Sequence, residues 1–363
     1  MTRGARLTEW VALYALSVAV ALALASVIVE ATGGDWWPVV QALVDGSIMA
    51  PGRWGGTLGI AAPLLLVALG TVISSKAGLI NIGQEGQLLI GAAVAVYFSF
   101  RIGGPGPLNV VLLLLFGALG GAAWASISGL LRFWRGVPEV LSTLLLVFVA
   151  LQAVGYGLKW QWLLLADEAS RGNRNLVSEQ LAKDNRIPRP DIFGNEFPIT
   201  VYVAVALALA VAYVLARTVW GFRLRMLGHN PRAAQRAGVS STVYGASALA
   251  IGGAFAGLAG AAMFAGGGFS FGNYRLVPGF SDNIGWTGLL VALLARERAL
   301  PAVVAAFVFA GLRNGAGFVN STGVQSRITD VVQGLLVLAL LVPPAVVFLR
   351  DRRRARAAAT ERV

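Results

Sequence analysis

The chain has 363 residues, 57% of them hydrophobic and 13% charged, with 45 glycines, one histidine and no cysteine. Soluble domains run at about 45–50% apolar and about 25% charged residues, so this composition excludes an ordinary soluble protein and indicates an all-α membrane protein. A net charge of +12 is carried by arginines that lie mostly in the gaps between apolar runs, where they orient spans rather than bind nucleic acid.

Residues 11–29 form an uncharged run long enough to cross a bilayer core of about 30 Å. Arg3 and Arg6 precede it, and Glu30 and Asp35 follow it, which predicts a cytoplasmic N-terminus. The run is too long for a cleavable signal and lacks a small-residue cleavage site. Trp36, Trp37 and Trp54 suit an aromatic belt at the outer interface. Further spans are expected at about residues 57–75, 82–100, 107–131, 138–158, 198–216, 243–265, 282–295, 300–319 and 329–349. The result is about ten transmembrane helices with both termini cytoplasmic. On that topology 18 of the 29 Lys and Arg residues fall inside, ten outside, and Arg313 within a span. The short inner loops carry the bias, as orientation by positive charge requires.

The stretch GLINIGQEGQLLIGA, residues 78–92, opens the third span. Asn81, Gln84, Glu85 and Gln87 stand there among Gly83, Gly86 and Gly91. A carboxylate inside a bilayer costs at least about 2.5 kcal/mol, so such residues line a solute path or pair within a bundle. Asn81, Gly83, Glu85, Gly86 and Gln87 are therefore candidate translocation-pathway residues. Glu85 has three readings: it holds a solute hydroxyl or amine, braces a broken helix by accepting backbone N–H groups, or caps its own helix start.

The segment 159–197 is the one sizeable outer stretch, with Asp167, Glu168, Arg171, Arg174, Lys183 and Asp184; it is a solvated loop or a landing surface for an extracellular partner. On the inner side, GFRLRMLGHNPRAAQRAG, residues 221–238, is the longest loop. Asn230 suits a helix N-cap, Pro231 the first helical position and Gly238 the stop, which predicts a short helix over PRAAQRA. A sharply capped helix suits a rigid knob pushed by a cytosolic motor; an unpatterned basic linker needs no such caps.

The form N-I-G-x-x-G-x-L recurs at Asn283, Ile284, Gly285, Gly288 and Leu290, five spans after its first appearance. An odd number of spans reverses direction, so spans 2–5 and 7–10 read as an inverted repeat, residues 57–158 and 243–349. That adds Asn283, Gly285 and Trp286 to the pathway candidates. Arg313, also a candidate, must pair or face water, with Asp330 and Asp282 as possible partners. Trp286, Phe148 and Phe318 have the chemistry to stack on a base. The pairs Gly117/Gly121, Gly253/Gly257 and Gly311/Gly315 suit close helix contacts.

The order NIGQEGQ, then GVPEV at residues 136–140, then GHNPRAAQRAG between the sixth and seventh spans resembles the permease family of bacterial ABC importers for sugars, branched-chain amino acids and nucleosides. N-I-G-x-E-G-Q is similar to the nucleoside branch, which works with basic-membrane-protein-type binding lipoproteins; the ribose-type pattern is G-I-D-L-S-x-G. The branch usually reads G-V-N-E-V followed by a Leu-Asn pair, where this chain has Pro138 and then Leu146-Val147. The resemblance covers roughly residues 57–345 and implies a coupling loop at 221–240; the chain as a whole, residues 1–363, is expected to be a single transmembrane permease domain, and its basic residues 350–363 suit a cytoplasmic tail anchored on anionic lipid. The resemblance also implies an ABC ATPase partner, a second homologous permease in a heterodimer and an extracellular solute-binding lipoprotein. Gly228, Asn230, Pro231, Ala233, Ala234 and Gly238 would be the ATPase-coupling residues, in a multi-pass protein of the cell (inner) membrane.

No P-loop is present: Lys76, Lys159 and Lys183 are followed by Ala, Trp and Asp. With His229 as the sole histidine, neither a zinc site nor a Ser/His triad can be assembled. The expectation is a transport subunit without enzymatic activity, metal or cofactor, importing nucleosides. A sugar or branched-chain amino acid permease is the alternative within the class, and an ion-coupled secondary transporter with Glu85 as proton site the alternative outside it.

Overall fold

The computed structural model describes residues 3–31, 35–167, 176–192, 194–267 and 273–319, together with isolated positions between 331 and 350. About half of the last expected span, Asp330, most of the basic tail, and Glu168, Arg171 and Arg174 of the 159–197 segment lie outside the described residues. In chain order the helices are α1 (Arg3–Ala31), α2 (Trp36–Val44), α3 (Arg53–Lys76), α4 (Gln84–Ser99), α5 (Gly106–Arg135) and α6 (Glu139–Gly157). They continue with α7 (Thr200–Arg217), α8 (Val219–His229), α9 (Pro231–Arg236), α10 (Ser241–Gly266), α11 (Ile284–Leu294) and α12 (Ala299–Val319). The strands among the described residues, β1 (Asp191–Ile192) and β2 (Asn195–Glu196), make a two-residue antiparallel hairpin in the 159–197 segment.

The chain is an all-α membrane protein. Among the described residues six helices, α3, α5, α6, α7, α10 and α12, are long and apolar enough to cross a bilayer. Two others are short: α4 has 16 residues and α11 has 11. At 1.5 Å per residue α11 is about 16 Å long, roughly half the hydrocarbon thickness. Its shortness follows from its flanks. Asp282 and Asn283 precede it and Arg296 and Glu297 follow it, all four with positive φ, so the backbone turns away at both ends.

Contacts divide the chain into two compact units, residues 1–57 with 309–363, and residues 58–308. In the first unit, Ala21, Ala25 and Val29 of α1, Val39, Ala42 and Leu43 of α2, and Ala316 and Val319 of α12 form an apolar core. Ser47 Oγ donates to the Gly311 carbonyl at 2.7 Å, and Asn314 Nδ2 donates to Thr57 Oγ1 at 3.0 Å.

The second unit is built on a crossing of α4, α5 and α10. Two of the small-residue pairs expected from the sequence face each other there, Gly117 and Gly121 of α5 against Gly253 and Gly257 of α10, with Gly91 of α4 on the same spot. A Cβ on Gly121 would lie 2.7 Å from Gly257 Cα, and one on Gly257 would run into the Gly117 carbonyl oxygen. Without a hydrophobic force between helices in lipid, such backbone contact supplies the van der Waals packing that holds spans together.

The described part of the 159–197 segment is tied down rather than loose. Ser178 N donates to the Leu276 carbonyl at 2.9 Å, Leu181 N to Tyr274 O at 3.0 Å and Ile187 N to Ala265 O at 2.9 Å, while Arg186 stacks over Tyr274.

Candidate functional site

After Lys76 the chain runs through seven non-helical residues, 77–83, before α4 begins. Asn81 makes a tight turn just ahead of α4: its Oδ1 accepts from Gly83 N, the N-cap residue, at 3.0 Å. The Asn81 and Gln87 amides also exchange a reciprocal pair of hydrogen bonds, both 3.0 Å. Gln84 Nε2 donates to Thr71 Oγ1 of α3 at 3.2 Å. Ile82 N donates to Thr143 Oγ1 of α6 at 3.3 Å, and that hydroxyl donates to the Glu139 carbonyl at 2.7 Å. Asn81, Gln84, Glu85 and Gln87 are 1–4% exposed. The stretch is thus sealed inside the second unit, with most of its polar groups spent on one another and on α3 and α6, while Gln84 Oε1 is buried without a hydrogen-bond partner among the described residues. Gly83 lies against the Thr143 carbonyl and Gly86 against Val147 Cα, with a Cβ on either meeting backbone at 2.9 Å.

Glu85 reaches the second copy of the motif. Its Oε2 accepts from Gly285 N at 2.7 Å. The Ser281 hydroxyl and the backbone N–H groups of Asn283 and Trp286 face the same carboxylate. Two helix N-termini therefore converge here: Glu85 lies in the first turn of α4, and Gly285 in the first turn of α11. The first N–H groups of a helix have no intrahelical acceptor and carry a partial positive charge, so the carboxylate satisfies those of α11 while its own place in the first turn of α4 is electrostatically favourable. Of the three readings of Glu85, this geometry is that of the brace, and the helix it braces is α11.

The 221–238 segment is more ordered than a loop. Residues 219–229 form α8, beginning at Thr218, whose Oγ1 caps it by accepting from Gly221 N at 3.1 Å. The short α9 forms as expected, with Asn230 Oδ1 accepting from Ala233 N at 3.1 Å, Pro231 in the first turn and Gly238 at φ +78°. Ala234 is its buried residue, packed with Leu227 and Val239; Pro231, Arg232, Ala233, Gln235 and Arg236 are exposed. Gly228, at the end of α8, sits directly on the non-helical stretch after α3: a Cβ there would run into the Lys76 carbonyl and lie 2.9 Å from Gly78 N. The α8–α9 knob is thereby in backbone contact with the strap that leads into Asn81.

The structure brings Asn81, Gly83, Glu85, Gly86, Gln87 and Gly285 together, with Asn283 and Trp286 at the rim, half-buried or exposed. Arg313 is half-buried on α12, in the residues of the other unit, as is Phe318, which lies under the Arg53 guanidinium at 4.3 Å. Phe148 is 58% exposed on α6. Thr71, Thr143 and Ser281 are partners the sequence reading missed, because isolated hydroxyls in apolar helices carry no pattern of their own.

Comparisons with known proteins agree in one direction. The family model described as "Branched-chain amino acid transport system / permease component" matches residues 55–341. The guanosine ABC transporter permease protein NupP of Bacillus subtilis (strain 168) is 30% identical over 315 residues, covering 84% of this chain and 85% of the relative. The glucose ABC transporter permease protein TsgB13 of Haloferax volcanii is 32% identical over 292 residues, covering 77% of this chain and 74% of the relative. The nucleoside ABC transporter permease protein NupB of Lactococcus lactis subsp. cremoris is 28% identical over 291 residues, 79% of each. No solved structure matches this chain.

Proposed function

This chain belongs to the branched-chain amino acid transport system permease family, and on that premise we propose that it carries a nucleoside. It is a multi-pass permease subunit of an ABC transporter, a transport component rather than an enzyme, and permeases of this family work with ATPase and solute-binding partners.

The observation that carries the choice of solute is the position of Glu85. Paired helix N-termini inside a membrane are sites for an anionic group such as an amino acid carboxylate. Here Glu85 already occupies that position, buried and hydrogen-bonded. With that position closed by the chain's own carboxylate, no paired N-termini are left there for a cargo carboxylate, which favours a nucleoside or a sugar over a branched-chain amino acid. The NIGQEGQ motif and the guanosine and nucleoside permeases among the relatives favour the nucleoside. The glucose permease relative supports the sugar as second reading.

The architecture we infer has ten spans, both termini cytoplasmic, and an inverted repeat of residues 57–158 and 243–349 within one transmembrane domain, with residues 350–363 as a basic cytoplasmic tail on lipid. The meeting of the two N-I-G motifs through Glu85 and Gly285 supports the repeat, since matched broken helices that meet at their N-termini are its signature. A heterodimer with a second, similar permease completes the path, and an extracellular lipoprotein delivers the solute. The Asn81–Gln87 stretch, with Asn283, Gly285 and Trp286, is the internal brace of the path's moving wall. Gly228, Asn230, Pro231, Ala233, Ala234 and Gly238 form the knob on which the ATPase acts, and the Gly228 contact with residues 76–78 is its link to the brace.

The test is uptake of labelled guanosine, uridine and glucose by the assembled transporter, with active and with inactivated ATPase. Nucleoside uptake that stops with the ATPase supports the proposal. Uptake that persists without ATPase and collapses with an uncoupler would instead assign an ion-coupled carrier using Glu85. Asn230→Ala removes an N-cap worth about 1 kcal/mol. It should lower the solute moved per ATP several-fold at unchanged abundance, with Asn230→Asp restoring it; unchanged stoichiometry would remove α9 from the coupling route.

A further inference from the structure

The residues sealed around Glu85 leave open which surface touches the cargo. Helix α6 has two faces. Ser142, Thr143, Val147, Ala150 and Val154 are buried, while Leu141, Leu145, Phe148, Gln152 and Tyr156 are exposed. Phe148, Gln152 and Tyr156 follow one another at four-residue spacing, so they form a single stripe rising about 6 Å per step. Phe148 and Tyr156 are 58% and 55% exposed. Gln152 lies at the centre of the exposed arc, about 20 Å along α6, and its side-chain amide has no partner among the described residues. A primary amide pointing into hydrocarbon forfeits all its hydrogen bonds, and polar side chains within spans face water, a bundle interior or a solute path.

We propose that Phe148, Gln152 and Tyr156 form a nucleobase subsite on the wall of the translocation path. A carboxamide carries both donor and acceptor and so matches a base edge, which presents the two side by side. Aromatic rings one turn on either side supply stacking surfaces that accept any base. A sugar uses the amide equally well but leaves two rings without a flat partner, so the constellation selects for a planar heteroaromatic ring. This assignment rests on the nucleoside reading above.

Because the chain has no cysteine, Gln152→Cys introduces a single thiol into the complete importer. It should react with a charged, water-soluble thiol reagent, and guanosine with its binding lipoprotein should slow the reaction whereas glucose should not. Gln152→Leu, which adds apolar surface to an exposed helix face, should reach wild-type abundance yet lose about tenfold or more of guanosine uptake. Phe148→Leu should lose less, and Phe148→Tyr little. A thiol at position 152 that is inert to the charged reagent, or that reacts without protection by guanosine, overturns the subsite; so does Gln152→Leu with full uptake. A wild-type importer that carries no nucleoside overturns the reading on which it rests, and the subsite with it.

Discussion

Glu85→Ala should abolish solute uptake by the assembled transporter and lower the thermal midpoint of the purified permease. The substitution leaves the Gly285 amide without its acceptor in a buried place. A hydrogen bond to a charged group contributes about 1.5–3 kcal/mol, and the interaction with a helix N-terminus adds about 0.3–1 kcal/mol or more. Two helices are affected at once, because α4 and α11 both begin at this carboxylate. Glu85→Gln keeps the volume and one acceptor oxygen and should retain much of the midpoint and a measurable part of uptake. That pair of variants separates a brace from a proton relay: a relay needs the ionisable group, so Glu85→Gln would then be as inactive as Glu85→Ala while remaining fully stable. Such an outcome would count against the brace.

The second large effect is expected at the crossing of α4, α5 and α10. Gly257→Val should prevent accumulation of the protein in the membrane. The added Cβ would collide with the Gly117 carbonyl and approach Gly121 Cα and N at 2.9 Å, and these are backbone atoms that cannot swing aside. Overpacking a close-packed core costs about 1–3 kcal/mol when side chains yield, and contact with backbone lies at or above the upper end. Gly155→Ala on α6 is the matched control, because nothing lies within 4 Å of its added methyl. It should be neutral or stabilising by up to about 1 kcal/mol, as expected for Gly to Ala in a helix. Equal abundance of Gly257→Val and wild type would mean that the three helices are not held as described.

The apolar runs were legible because crossing oil demands length and hydrophobicity from consecutive residues, and α3, α5, α6, α7, α10 and α12 lie close to where those runs fall. Asn230 and Pro231 were legible for a similar reason: a helix cap is a local contract between residues three apart. The N-terminus of α8 was overlooked although Thr218 follows the same rule, since its helix is only weakly amphipathic and sits in a basic, loop-like stretch. Glu85 was recognisable as a costly residue that must be compensated. Its compensation by Gly285, 200 residues away, was beyond any local pattern.

By itself the sequence determined that this is a membrane-embedded helical chain, where six of its long apolar helices lie, that its short 231–236 helix is capped, and that its polar, glycine-rich stretch is buried rather than facing lipid. Those properties depend on composition and on neighbours within a few residues, where sterics and solvation act directly. Only the tertiary structure decided which donors meet Glu85, that Gly117 and Gly121 lie on Gly253 and Gly257, that Gly228 seats on the strap after α3, and that Gln152 points outward from α6. Each of these is a choice of partner among many chemically equivalent ones. Backbone N–H groups, glycines and apolar helix faces are alike in sequence, and packing in three dimensions selects between them.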